Sequence, residues 1–305
     1  MRIAIVGAGA VGGYFGGLLA RAGNEVTLLA RGEHLDAIRM NGLEVRSSRG
    51  NFNVAVHATD NPADAGPVDL AFLTVKTYQN AVAIPSMAPL MGSATSVITL
   101  QNGVEAYKEV GRAYGMDRVL PGAAYIETHL AGPGIVEQVG DVVRIVFGEA
   151  DGSSTQRALN IQDTFRAAEI NSELAGDVLK ALWAKFIFIA TLAGVTSTSR
   201  ASMAPLLADP ESKAMVISCL REIEAVGRAE GVGLDDDVVD KIMAYMESTA
   251  KDLHASMHTD LELGRPLELE ALNGSVVRLG REHGIPTPVN DVLYSLLVVH
   301  KDGYQ

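Results

Sequence analysis

Cysteine, aromatic residues and positive charge are all scarce in this chain of 305 residues. The single cysteine, Cys219, excludes an intrachain disulfide and a zinc site built on cysteines, and it fits a reducing compartment. Lysine and arginine number 25 against 37 acidic residues, which gives a formal net charge of −12. Nucleic-acid-binding domains usually carry a basic surface, so this balance disfavours nucleic acid as a partner. We expect a cytoplasmic protein.

Uninterrupted apolar runs of membrane-spanning length are also missing. A membrane helix needs about 20 mostly apolar residues. Glycines break up the apolar N-terminal stretch, and the most apolar segment, residues 179–195, carries Lys185 near its middle. We therefore predict no membrane partner and no targeting segment, and we interpret residues 179–195 as a helix buried in a protein core.

Apolar residues make up 48% of the chain, and their pattern changes along it. In the first half, short apolar runs bounded by glycine, proline or asparagine alternate with helical patterns. This alternation is typical of a parallel sheet covered on both faces. The predicted strands are Arg2–Val6, Glu25–Ala30, Val68–Val75 and Ser96–Leu100, with a helix at Gly12–Arg21. Two further strands, Ile135–Val139 and Val142–Phe147, are separated by Gly140-Asp141, which predicts a hairpin there.

The second half is helical by its periodicity. After residues 179–195, helices are predicted at Asp209–Ala229, at Val238–Leu263 and at Leu267–Glu282. The fold class is therefore α/β. We predict a doubly wound Rossmann-type sheet in residues 1–172 and an all-helical domain in residues 173–305.

A glycine-rich loop connects the first predicted strand directly to the first predicted helix. Its sequence is Gly7-Ala-Gly9-Ala10-Val11-Gly12. In this context the first glycine permits a tight turn, the second lets a pyrophosphate approach the backbone, and the third lets helix and strand pack closely. The amides of the helix start would then face the phosphates. The alternative is a glycine-rich turn that binds no ligand.

The end of the second strand predicts which nicotinamide cofactor is used. NAD sites usually carry Asp or Glu about 20 residues after the glycine loop. Here Arg31 stands in that region, and a guanidinium can form two parallel hydrogen bonds to a 2′-phosphate. We therefore expect NADP(H) rather than NAD(H). The alternative is a solvated surface arginine, and nearby Glu33 argues against the NADP(H) interpretation.

Lys185 lies among apolar residues in Leu182-Trp-Ala-Lys-Phe-Ile-Phe-Ile189. An ammonium group there is costly unless it meets a partner or a cleft. Desolvation would also lower its pKa, which suits proton transfer near neutral pH. The alternative is a lysine whose stem lies along the core while its head reaches solvent. The residues alone leave both interpretations open.

Over almost its whole length the chain resembles ketopantoate reductases (2-dehydropantoate 2-reductases). The order and spacing of its motifs carry the resemblance. They are the glycine loop, Arg31, Thr74-Val-Lys76-Thr-Tyr-Gln79, Gln101-Asn102-Gly103, Trp183-Ala-Lys185, Ser256-Met257 with Asp260, Gly264-Arg-Pro266-Leu-Glu268-Leu-Glu270, Asn273-Gly274 and Gly284-Ile-Pro286-Thr-Pro288.

The resemblance implies a role for individual residues. Lys185 matches the family's catalytic lysine, which gives a proton to the ketone oxygen while the cofactor delivers hydride. Glu268 matches the active-site glutamate, and Ser256 matches the serine that holds the substrate. Asn102 matches the asparagine that contacts both cofactor and substrate, and Lys76 matches a lysine near the cofactor. The resemblance also implies a helical domain like the C-terminal domain of 6-phosphogluconate dehydrogenase, and an active site in a cleft between the domains.

The chain departs from the family pattern on the helix of Lys185. Many members carry asparagines four and eight residues after the catalytic lysine, where this chain has Ile189 and Ala193. The implied substrate pocket is therefore less polar, which leaves the identity of the 2-oxo acid open. Thr196, Thr198 and Arg200 are candidates for the missing polar contacts.

Three functions follow from the sequence. The first is NADPH-dependent reduction of ketopantoate or a related 2-oxo acid, as in pantothenate biosynthesis. The second is a related lysine-using dehydrogenase for another hydroxy or amino acid. The third is a non-catalytic NADP(H)-binding regulator.

The expected partner is the small substrate, with a homodimer left open. No metal is expected, since His254 and His258 lack the flanking residues of a metal helix. Asn273 is either bonded in the core or directed to the cleft.

Overall fold

The computed structural model describes residues 1–304, which form two compact units. Unit 1 comprises residues 1–101 and 105–178. Unit 2 comprises residues 102–104 and the chain from Leu179 onward. The second unit thus takes three residues from the middle of the first.

Unit 1 is built around one mixed sheet. The strands run in the order β4-β3-β9-β8-β7-β6-β1-β2-β5, and β10 pairs with β9. They are β1 (Arg2–Val6), β2 (Glu25–Leu29), β3 (Leu43–Ser47), β4 (Phe52–Val54), β5 (His57–Thr59), β6 (Val68–Leu73), β7 (Met91–Thr99), β8 (Val119–Gly132), β9 (Ile135–Phe147) and β10 (Ser172–Leu174).

The Rossmann-type sheet predicted from the sequence is confirmed. The run β5-β2-β1-β6-β7-β8 is parallel throughout. Numbered by their place in the chain, these strands have the order 3-2-1-4-5-6 of dinucleotide-binding sheets. The sequence places the domain boundary at residues 172 and 173, whereas β10 pairs with β9 and belongs to unit 1.

Helices cover the sheet and bury its apolar strands. They are α1 (Ala10–Arg21), α2 (Gly32–Asn41), α3 (Asn80–Ser86), α4 (Ala106–Tyr114) and α5 (Gln156–Ala167). The core includes a run of phenylalanine rings, in which Phe165 of α5 lies 5.8 Å from Phe72 and 5.3 Å from Phe147 between ring centroids. All three rings are fully buried.

The prediction of a hairpin turn at Gly140-Asp141 is wrong. Residues 135–147 form the single strand β9, which pairs antiparallel with β8. The turn lies instead at Pro133-Gly134, where Gly134 has φ +74°. Gly140 also has a positive φ of +74°, but the pairing register shifts there and resumes at Val143. The glycine thus produces a bulge and not a reversal of the chain.

Unit 2 is helical, as predicted. Its helices are α6 (Val178–Ser199), α7 (Met203–Ala208), α8 (Pro210–Ala229), α9 (Val238–Thr249), α10 (Ser256–Glu262), α11 (Asn273–His283) and α12 (Pro288–Leu297). By length and composition α6 could cross a membrane, but 61% of its most apolar window is buried in the fold. It is the core helix of unit 2, with Trp183 and Phe186 in edge-to-face contact at 5.3 Å.

Two predicted helices of unit 2 are interrupted. The helix predicted over 238–263 breaks after Thr249, where the hydroxyls of Ser248 and Thr249 both donate to the Tyr245 carbonyl. Such side-chain bonds compete with the helical backbone pattern. The helix predicted over 267–282 is instead a short 3₁₀ turn, Leu269–Ala271, followed by α11. Leu272, between them, has φ −104° and ψ −104°, which are not helical angles.

The glycines of the first loop differ in what surrounds them. A Cβ at Gly12 would lie 2.2 Å from the Gly7 carbonyl oxygen and 2.5 Å from Thr74 Oγ1. A Cβ at Gly9 would meet no heavy atom of the described residues within 4 Å, apart from those of its chain neighbours and of its own helix backbone. Close packing of α1 on the sheet therefore requires glycine at position 12 but not at position 9.

This difference predicts unequal effects of the two glycine substitutions on stability. Gly12→Ala should lower the free energy of unfolding by about 2 kcal/mol or more, because backbone atoms must move to admit the methyl group. Gly9→Ala is the matched control and should change it by less than about 1 kcal/mol, since its φ of −70° suits alanine. Urea denaturation of both variants measures the two values. Equal destabilisation would contradict the packing role given to Gly12.

Candidate active site

The glycine loop presents its backbone at the carboxyl end of β1. Gly7 has φ +102°, and its carbonyl accepts a hydrogen bond of 2.8 Å from Thr74 Oγ1. Gly9 is the N-cap of α1, and no side chain among residues 1–304 caps the helix. Open space beside Gly9 and uncapped amides in the first helical turn are the features that a pyrophosphate requires. Gly7, Gly9, Ala10, Val11 and Gly12 thus fit a bound dinucleotide.

Arg31 lies two residues after the end of β2, at the N-cap of α2. It is exposed, and within residues 1–304 its guanidinium forms no hydrogen bond or ion pair with the protein. Glu33 is also exposed, and in the described part of the chain it forms no ion pair with Arg31. The position and the exposure fit the 2′-phosphate contact predicted from the sequence.

Lys76 lies in the loop after β6, and a neighbouring amide network shapes this loop. Gln101 Nε2 donates to the Val75 carbonyl at 2.6 Å and to Asn80 Oδ1 at 2.7 Å. Asn80 in turn donates to Glu109 at 2.8 Å. The sequence analysis gave Gln101 no role. Its side chain is buried and fixes the backbone beside Lys76, which is half-buried at this strand end.

In unit 2, three of the predicted residues come together. Lys185 Nζ donates to Asn102 Oδ1 at 3.1 Å. Burial lowers the pKa of Lys185 to about 8, and the negative charge of Glu268 opposes this by favouring the ammonium. A lysine with this pKa remains mostly charged at neutral pH and can still release its proton readily. The combination suits a general acid.

Asn102 belongs to the segment 102–104, which contacts unit 2 rather than the unit that surrounds it in the chain. Gly103 has φ +97°, a conformation that L-residues rarely adopt. A Cβ at this position would also lie 2.9 Å from the Ala271 carbonyl oxygen. Glycine at 103 therefore allows the backbone that carries Asn102 to lie against the turn that follows Glu268.

The sequence predicted that Glu268 lies in the first turn of a helix, but the structure does not place it there. It precedes the 3₁₀ turn Leu269–Ala271, and its carbonyl accepts hydrogen bonds from Ala271 and Leu272. The residue is only 6% exposed. A helix dipole does not account for a carboxylate buried in this way, whereas its charge effect on Lys185 gives it a partner.

The face of α6 after Lys185 is apolar, and the suggested substitutes for the missing asparagines contribute unequally. Thr196 is fully buried, donates to the Leu192 carbonyl at 2.7 Å and accepts from the Ala255 amide at 3.4 Å. It is therefore engaged in the fold. Thr198 Oγ1 is buried and has no hydrogen-bond partner within residues 1–304. Arg200 is exposed, with φ +54°.

Ser256 begins α10 and is exposed, and no hydrogen bond joins its hydroxyl to Lys185, Asn102 or Glu268 within the described chain. Asn273 lies in the core, one of the two positions left open by the sequence. Its amide donates to the Ala190 carbonyl at 3.2 Å and to Asn290 Oδ1 at 3.0 Å. The bond to the Ala190 carbonyl ties the start of α11 to α6.

The described residues contain no group of three or more histidine, cysteine or acidic side chains arranged to hold a metal ion. The rings of His254 and His258 lie 5.4 Å apart, and His258 Nε2 is 3.2 Å from Glu262.

Comparison with known proteins identifies the family. A model described as "Ketopantoate reductase PanE/ApbA" matches residues 3–152, and one described as "Ketopantoate reductase PanE/ApbA C terminal" matches residues 177–301. The chain is 33% identical over 307 residues to the 2-dehydropantoate 2-reductase of Mycobacterium tuberculosis (strain ATCC 25618 / H37Rv), covering 99% of this chain and 98% of that protein.

Two solved structures agree with this result. A PanE/ApbA family ketopantoate reductase from Ralstonia eutropha JMP134 matches with a TM-score of 0.91 and 34% identity, covering 99% of this chain and 98% of that one. D-mandelate dehydrogenase with NADH and anilino(oxo)acetate matches with a TM-score of 0.88 and 26% identity, at the same coverages of 99% and 98%. The chain belongs to the ketopantoate reductase family of oxidoreductases.

Proposed function

We propose that the protein reduces a 2-oxo acid to the 2-hydroxy acid with NADPH, and that ketopantoate or a close relative is the substrate. The observation that carries this proposal is the hydrogen bond from Lys185 to Asn102 beside the buried charge of Glu268. A regulator that only binds NADP(H) has no need of a proton donor in this setting.

The chemistry divides between the cofactor and the protein. The bound dinucleotide supplies the hydride that reduces the C2 carbonyl. Lys185 donates its proton to the carbonyl oxygen, where negative charge develops. Asn102 orients the ammonium by accepting one of its three N–H groups, and Glu268 keeps it charged. Ser256 holds the substrate. The glycine loop, Arg31 and Lys76 hold the cofactor in this proposal.

A second candidate is a dehydrogenase for a bulkier 2-hydroxy acid. Ile189 and Ala193 follow Lys185 at helical spacing and give this face of α6 an apolar character. The similarity to D-mandelate dehydrogenase points in the same direction, since mandelate carries a phenyl group. An apolar wall favours such a side chain over the hydroxyl-bearing chain of ketopantoate.

One assay separates these functions. Oxidation of NADPH by the purified protein should be followed at 340 nm with ketopantoate, phenylglyoxylate and pyruvate as substrates. Ketopantoate should give the highest kcat/KM. A higher value for phenylglyoxylate would favour the second candidate, and no turnover of any 2-oxo acid despite tight NADPH binding would favour the regulator.

Arg31 should determine the cofactor preference. Its charged, bidentate contact with the 2′-phosphate is worth roughly ten- to a hundredfold in affinity. Arg31→Ala should therefore weaken NADPH binding by that factor and leave NADH binding nearly unchanged, as measured by calorimetry. Arg166→Ala, at an exposed arginine on α5, is the matched control for the loss of charge. Equal affinity of the unmutated protein for the two cofactors would refute the preference.

Lys185 should be needed for turnover but not for the fold. Lys185→Met should lower kcat by roughly 10²- to 10⁴-fold, the usual contribution of a positioned general acid. The protein should still fold, but its melting temperature should fall, because the buried carboxylate of Glu268 loses the positive charge beside it. NADPH affinity should change little. Lys180→Met on the same helix, at a lysine that forms an ion pair with Asp235, is the control and should retain activity. Activity of Lys185→Met within a few-fold of the unmutated protein would exclude Lys185 as the acid.

A further inference from the structure

His34 connects the glycine loop to a distant turn of unit 1. It lies in the first turn of α2 and is half-buried. Its Nε2 is 2.8 Å from the carbonyl oxygen of Ala8, the residue between the first two glycines of the loop. Its Nδ1 accepts a hydrogen bond of 3.0 Å from the amide of Gly134, in the turn between β8 and β9.

The two partners determine the protonation of the ring. A backbone carbonyl only accepts and a backbone N–H only donates, so the proton is on Nε2 and Nδ1 carries the lone pair. His34 therefore bridges the loop and the turn as a neutral imidazole. No other side chain type offers a donor and an acceptor with the same spacing and rigidity.

The bond to Ala8 fixes a peptide group whose other end faces the dinucleotide site. No peptide bond of the described chain is cis, so the Ala8 carbonyl and the Gly9 N–H point in opposite directions from one planar unit. The amide of Ala8 is also bound, to the Leu29 carbonyl at 3.0 Å. With both Ala8 groups held, the direction of the Gly9 N–H is fixed. No protein acceptor within residues 1–304 receives a hydrogen bond from that N–H.

The turn that anchors His34 is itself held firmly. The Gly134 carbonyl accepts a hydrogen bond of 2.9 Å from the Glu44 amide of β3. A Cβ on Gly134 would lie 3.0 Å from Ala37 Cβ, so the turn packs closely on α2. The loop is therefore braced by the part of the sheet that extends beyond the six parallel strands.

We propose that His34 is a positioning residue for the dinucleotide site. By holding the Ala8 carbonyl it aims the Gly9 amide at the pyrophosphate, so that the loop is ordered before the ligand binds. The inference rests on the cofactor binding in the proposed function. It assigns His34 to the pyrophosphate, which NADPH and NADH share, and not to the 2′-phosphate.

His34→Ala should therefore weaken the binding of NADPH and NADH by the same factor, about three- to tenfold for the loss of one neutral hydrogen bond. This uniform loss differs from the effect of Arg31→Ala, which changes the preference between the two cofactors. Dissociation constants from calorimetry and melting temperatures should be measured for both nucleotides on each variant.

Two conservative variants separate the two hydrogen bonds. The amide nitrogen of a glutamine reaches the position of the imidazole Nε2, so His34→Gln retains the donor to Ala8. The oxygen of an asparagine reaches the position of Nδ1, so His34→Asn retains only the acceptor for Gly134. We expect His34→Gln to bind NADPH within about twofold of the unmutated protein, and His34→Asn to lose as much affinity as His34→Ala. His129→Ala, on an exposed part of β8, is the control and should bind normally.

Failure of the inference is distinct from failure of the proposed function. The inference is overturned if His34→Ala and His34→Asn bind both nucleotides with normal affinity. It is also overturned if the Ala, Asn and Gln variants of His34 all melt at lower temperatures while their affinities stay unchanged. If the unmutated protein binds neither NADPH nor NADH, the proposed function itself is wrong.

Discussion

The desolvated ammonium of Lys185 is the constraint on which the arrangement of unit 2 depends. A charge on an apolar core helix is stable only with polar partners. Asn102, 83 residues earlier in the chain, supplies a hydrogen bond, and Glu268 supplies a negative charge. The placement of residues 102–104 in unit 2, the positive φ of Gly103 and the buried position of Glu268 are all consistent with this requirement.

In unit 1 the corresponding constraint is the exposed backbone of the glycine loop. Thr74 holds its first carbonyl, β2 holds the Ala8 amide and His34 holds the Ala8 carbonyl. Contacts within the protein therefore hold the loop on both sides of Ala8. Pre-ordering of this kind lowers the entropy that must be lost on binding.

Features with a local signal were predictable from the sequence. The parallel strands, the glycine loop and α6 follow from periodicity and composition, and the family motifs give Lys185 and Asn102. The contacts of His34 were not predictable, because they join residues that lie far apart in the chain. Gly134 is 100 residues from His34, and no local pattern relates them. The predictions of two uninterrupted helices and of a turn at Gly140 were wrong for a related reason. Hydroxyl side chains and glycine permit several local conformations, and tertiary contacts select one of them.

The pH dependence of reduction tests the central claim most directly, namely that Lys185 is the acid and Glu268 keeps it charged. Reduction requires the ammonium, so kcat/KM for the 2-oxo acid at saturating NADPH should fall as pH rises through about 8, the pKa of Lys185. Glu268→Gln removes the charge that raises this pKa, so the fall should move to lower pH. An alkaline limb that stays at the same pH in Glu268→Gln, or that persists in Lys185→Met, would contradict the account.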